Sequence, residues 1–169
     1  MSIYFTLTTI ALVLLVAYTL IVCVHEHKIP NSLSATVFFY PRDFLWAWML
    51  VMTIITFTLA PVLIDTAARG QMFAFLACAG LLVVGACPLV RNHKAMAFSV
   101  HNLAAVVCAV SANLLVLLNH WWLVFCWAPW ICAFIWITKD GGWRTRVFWA
   151  EMTCFLMTFA HTYISITRL

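Results

Sequence analysis

Charge is what this sequence has least of. Only 8% of its 169 residues are Asp, Glu, Lys or Arg, five acidic and nine basic, against 66% hydrophobic residues. A soluble domain carries about 25% charged residues to keep its surface solvated. The composition therefore excludes a soluble enzyme, a nucleic-acid-binding domain and a disordered chain, and the mean hydropathy of +1.06 makes lipid the solvent. An alternating polar and apolar pattern, the mark of a membrane β-barrel, is also missing. The net charge of +4 does not point to nucleic acid, because the basic residues lie between apolar runs instead of clustering. The seven cysteines form no CxxC pair and all fall within apolar segments, so they read as small packing residues and not as a disulfide framework.

What is present is apolar sequence in helix-length runs. A helix needs roughly 20 apolar residues to cross the hydrocarbon, and six runs qualify, at about 3–24, 44–64, 71–90, 99–118, 121–138 and 147–166. The expected architecture is all-α: one polytopic membrane domain over 1–169, with six transmembrane helices in a single bundle. The first run has no basic segment before it and no small-x-small site after it, so it reads as a retained span and not a signal peptide. Asn119-His120 leaves so little chain between the fourth and fifth runs that they should form an antiparallel hairpin. Lys28, Arg42, Arg91, Lys94, Lys139, Arg144 and Arg146 follow odd-numbered runs, and only Arg69 and Arg168 lie on the other side. That bias puts the odd-numbered loops in the cytoplasm and both termini outside a cell membrane. Trp46, Trp48, Trp121, Trp122, Trp136, Trp143 and Trp149 lie near run ends, where indoles anchor at the interface.

Polar residues inside these runs are the informative ones, since each costs a few kcal/mol without a partner or cavity. The fourth run carries His101, Asn102 and Asn113; the last two are three helical turns apart and share a face. It also carries small-residue ridges, Ala104/Cys108/Ala112 and Ala105/Ala109, that suit close helix packing at the centre of the bundle. The sixth run has Glu151, Thr158, His161 or Thr162, and Ser165 in one polar stripe at helical period. Glu151 and His101 enter from the same side, so an inward-facing carboxylate and imidazole are expected to meet. The loop from His25 to Asp43, with Ser32, Ser34 and Arg42, is expected over that same face. Asp65 and Arg69, four apart, read as a local ion pair. Within the runs no HxH, HxxH or HxxxH pattern occurs, so neither a metal nor a cofactor is expected.

The ordered motifs resemble those of a family. Ile29-Pro30-x-Ser32-x-Ser34-Ala35 is followed by Pro41-Arg42-Asp43-Phe44, then Val100-His101-Asn102-x-x-Ala105, then Ala150-Glu151. In this order they resemble the Frag/DRAM/Sfk group of small six-span membrane proteins. The resemblance implies a role in lipid-anchor remodelling or membrane stress and points to Ser32, Ser34, His101, Asn102 and Glu151. Ala35-Thr36 departs from the group's Asp-Gly type pair, and Ala104 stands where the group tends to have Gly. The group's first loop is usually non-cytoplasmic, opposite to the side that the Lys/Arg count gives here.

The functional expectation is a lipid-binding or lipid-modifying membrane protein with a polar pocket at one headgroup level. Catalysis would fall to His101 as base with Glu151 orienting it; Ser32, Ser34, Arg42, Asn102 and Asn113 would bind the substrate. Membrane lipids are the expected partners. The alternatives are a small oligomeric transporter or channel along the Glu151 stripe, and a non-catalytic scaffold for other membrane proteins.

Overall fold

A computed structural model describes residues 2–34, 36, 45–87, 94–139 and 145–168, and it is helical with no strand among them. In chain order the helices are α1 (Ser2–Glu26), α2 (Leu45–Thr66), α3 (Gln71–Ala86), α4 (Lys94–His120), a 3₁₀ segment (Trp121–Cys126), α5 (Trp127–Lys139) and α6 (Arg146–Ile166). Three helical stretches are long and apolar enough to cross a membrane: Ile3–His25, Leu45–Thr66 and the run Ser99–Ile135, which joins α4 to α5. The fifth expected span is therefore not one α-helix. Pro129 is the local cause: lacking an N–H and clashing with the carbonyl four residues back, it is least costly in a first turn, although α2 carries Pro61 in its interior. The α-helix accordingly begins at Trp127, and the six residues before it take the tighter 3₁₀ form.

Contacts set the helix directions. Tyr4 at the start of α1 hydrogen-bonds Asp65 at the end of α2, and Tyr18 packs its ring on Trp48, so α1 and α2 are antiparallel. The Nε1 of Trp127 donates to Asn113 Oδ1, which means that the chain has reversed after His120 and run back along α4, as a hairpin must. Asn113 bonds Cys154 and His120 bonds His161, both pairs 41 residues apart, so α4 and α6 are parallel with a constant offset. Odd-numbered helices thus run one way and even-numbered helices the other.

Small residues let α2, α3 and α4 approach closely. A Cβ on Gly80 of α3 would stand 2.9 Å from Ala104 O and from Cys108 N and Cβ of α4, and one on Gly85 would stand 2.7 Å from Met52 Cβ of α2. The Ala104/Cys108/Ala112 ridge is thus the surface that α4 turns to α3. Gly70, at φ 74°, makes the left-handed turn into α3. Asn119 ties that turn to the end of α4: its Oδ1 accepts from Arg69 N, and its Nδ2 donates to Arg69 O.

Two local expectations change. Helix α2 ends at Thr66, so the four-residue spacing of Asp65 and Arg69 is not helical, and the Asp65 carboxylate accepts from Tyr4 instead. Trp48 is no interfacial anchor: it is 2% exposed and belongs to the core with Ile55 and Leu59. Trp46, Trp121, Trp122 and Trp149 are exposed, as anchors are. Pro61 interrupts α2 from within on its exposed face, between the buried Leu59 and Leu63.

Candidate functional site

Glu151 lies just over one turn into α6, and its partners come from the loop after α1. Just past α1, His27 takes a left-handed conformation at φ 52°, and Pro30 follows, biasing its predecessor toward extended backbone. Asn31 O then accepts from Phe148 N at 3.1 Å, Leu33 O accepts from Thr36 Oγ1, and Tyr18 OH bonds Thr36 Oγ1 at 2.6 Å. Held this way, Leu33 is buried to 2% exposure. Its backbone N–H donates to Glu151 Oε2 at 2.5 Å, and Ser34 Oγ donates to Glu151 Oε1 at 3.0 Å. Ser32 Oγ stands 3.4 Å from Ser34 Oγ, completing a short hydroxyl pair beside the carboxylate. Each carboxylate oxygen therefore meets a neutral donor.

His101 is not part of this arrangement. With the offset of 41 residues between α4 and α6, Glu151 stands level with Val110. His101 comes nine residues before Val110 on α4, about 13 Å along the axis. The expected dyad is not assembled, because sharing an end of the bundle does not place two residues at one depth. Asn102 is exposed although it shares a face with Asn113, which Trp127 of α5 covers. Asn113 is itself a structural joint: Nδ2 donates to Ala109 O at 2.8 Å and to Cys154 Sγ at 3.3 Å, while Oδ1 accepts from Trp127 at 2.8 Å. Its amide is thus bonded to α4, α5 and α6 at once. Arg42 lies outside the described residues. Of the expected site residues, the fold brings together Glu151, Ser34 and Ser32.

Beside Glu151 the bundle forms a partly open cavity of about 310 Å³. Leu33, Ser34 and Glu151 form one end of its lining, and the walls come from α2, α3, α4 and α6, with Trp127 of α5. Along α2 the lining runs from Trp48 to Leu63, fifteen residues or about 22 Å, so the space is elongated along the helix axes. Ala105, Cys108 and Ala109 line it because the small side chains of α4 leave room there. Two lining residues, Val106 of α4 at 58% and Val147 of α6 at 47%, are well exposed, so the lining reaches the surface of the bundle there. Apart from Glu151, Ser34 and Thr158, the lining is apolar or carries only thiol or indole groups.

A second polar feature lies at the other end. His120 and His161, both buried, face each other with Nδ1 atoms 2.8 Å apart, and the Nε2 of each is buried without a hydrogen-bond partner. From sequence, His120 reads only as part of the tight Asn119-His120 turn. Its only signal was an imidazole 41 residues before another, a spacing with meaning only once α4 and α6 are known to be parallel. Comparison with protein-family models, with curated proteins and with solved structures finds no match for this chain.

Proposed function

We propose that the protein is a membrane-embedded lipid-binding protein in which all six helices cross the bilayer. A single lipid chain lies in the cavity between α2, α4 and α6, its head at the Glu151 end. The observation that carries this reading is the elongated apolar cavity of about 310 Å³ with one carboxylate and one hydroxyl at its end. A few polar groups in an apolar, preformed space are what a ligand site needs for orientation. Where the lining reaches the surface, at Val106 and Val147, a chain has a way in from the bilayer without passing through water. The broken fifth span still reaches across: six 3₁₀ residues and thirteen α-helical ones cover about 31 Å, close to the hydrocarbon thickness of about 30 Å.

Binding is favoured over catalysis because the imidazole that would serve as base stands far from the carboxylate. A scaffold would have a filled interior, which the cavity speaks against. For a transport path, the stripe beyond Glu151 is poorly suited: Thr158 Oγ1 donates to Cys154 O and Thr162 Oγ1 to Thr158 O, so these hydroxyls serve their own helix. The resemblance to the Frag/DRAM/Sfk group agrees with a lipid ligand and extends the proposal to that group.

The test is to purify the protein in mild detergent and quantify co-purifying lipid by mass spectrometry. Ala109→Phe, which fills the cavity from α4, should reduce bound lipid severalfold while the protein stays monodisperse and helical. Equal lipid content in wild type and a folded Ala109→Phe protein would overturn the reading.

A further inference from the structure

Resting on the lipid-binding reading, the geometry points to the class of lipid: we infer that the cavity takes a single-chain amphiphile with a cationic amine head, and discriminates against fatty acids and other anionic heads. Among the described residues lining the cavity, Glu151 is the one carboxylate, and no Lys, Arg or His lines it. A carboxylate offers about four lone-pair positions. Leu33 N–H, Ser34 Oγ–H and Ser34 N–H take three of them, so the carboxylate keeps one acceptor position for a donor from a ligand. An ammonium is a compact head with three donors and no acceptor, and it fits such a site. An anionic head would meet Glu151 across a few ångströms of low-dielectric space, where like charges repel far more strongly than in water. The ligand has one chain because the volume is limited. At about 310 Å³ the cavity stands at the low end of small-molecule sites, which run to about 1,000 Å³.

The net charge of the whole protein works the other way. At +4, non-specific attraction would favour a fatty acid over an amine, so an amine preference must arise locally. The test uses wild-type protein in nanodiscs of zwitterionic phosphatidylcholine, with radiolabelled dodecylamine and dodecanoate measured against empty discs. Protein-dependent binding of the amine is expected to be about tenfold or more tighter than that of the carboxylate, a ratio typical of one charge-assisted contact. Equal or tighter binding of dodecanoate would overturn the amine inference and leave the lipid-binding reading standing. If neither ligand binds above empty discs, or if both bind folded Ala109→Phe as tightly as wild type, the cavity is not a chain site and both readings fall. Glu151→Gln keeps an acceptor oxygen but removes the charge; it should bring the two ligands to within about twofold of each other while chain binding persists. Should that variant not fold, the wild-type ratio alone decides.

Discussion

His120 and His161 constrain each other through their tautomers. With Nδ1 atoms 2.8 Å apart, one ring must carry its proton on Nδ1 and the other must leave Nδ1 bare, so the neutral pair consists of opposite tautomers. Removing one ring strands a buried nitrogen of the other. His161→Leu alone should therefore destabilise the protein by about 1–3 kcal/mol, the usual cost of an unmet buried polar group. The double variant His120→Leu/His161→Leu should lose less than the sum of the single losses, read from denaturant or thermal unfolding in detergent. Glu151 shows the same logic from the loop side. Glu151→Ala would leave the buried Leu33 N–H without its acceptor, and a fall of about 1–3 kcal/mol in unfolding free energy is expected. Glu151 itself was legible in the sequence as the carboxylate within a helical run. Its partners were not, because a backbone N–H has no side-chain signature and every loop residue offers one. The choice of His101 followed chemical type, and the fold decided by depth.

Among the elements, α4 is readable from sequence as the closely packed helix, since its ridges of Ala and Cys let a neighbouring helix approach. The identity of the facing surface was not readable. Gly80 is one of only five glycines in the chain, and nothing local to it marks a crossing point with Ala104 and Cys108. Gly80→Val should force α3 away from α4, because its Cβ would lie 2.9 Å from backbone atoms that cannot yield as a side-chain tip does. A loss of about 1–3 kcal/mol is expected for such overpacking, measured by thermal unfolding; Gly80→Ala should show a smaller part of it. The run positions of α1, α2 and α6 agree with the apolar pattern to within a few residues. The fifth run departs from it because hydrophobicity counts residues but does not see that Pro129 restricts where an α-helix can begin. Helix offsets such as the 41 residues between α4 and α6 are likewise set by side-chain interlocking across space and leave no periodic trace in one chain.

For the whole molecule, the alternating helix directions gather the turns after α2 and α4 at one end and the Glu151 loop at the other. From the Lys/Arg distribution we propose that the Glu151 end is cytoplasmic. In a variant whose seven cysteines are replaced, Arg69→Cys should react with a membrane-impermeant maleimide in intact cells, and Ile29→Cys should react only after permeabilisation. The reverse pattern would invert the molecule in the membrane and agree with the sidedness of the Frag/DRAM/Sfk resemblance.

Pro61 gives the cavity a wall that can bend. Without an N–H at that position, Phe57 O has lost its helical donor, so the last turns of α2 are joined to the rest through one fewer hydrogen bond. Leu59 and Leu63, which line the cavity on either side of this weak point, need not move together. On the proposed lipid-binding function, bending of α2 at Pro61 would let the cavity take chains of different length without repacking α3 and α4. Proline replacement by Ala should stiffen that wall, visible as slower amide hydrogen exchange over residues 57–63 and a narrower range of bound chain lengths.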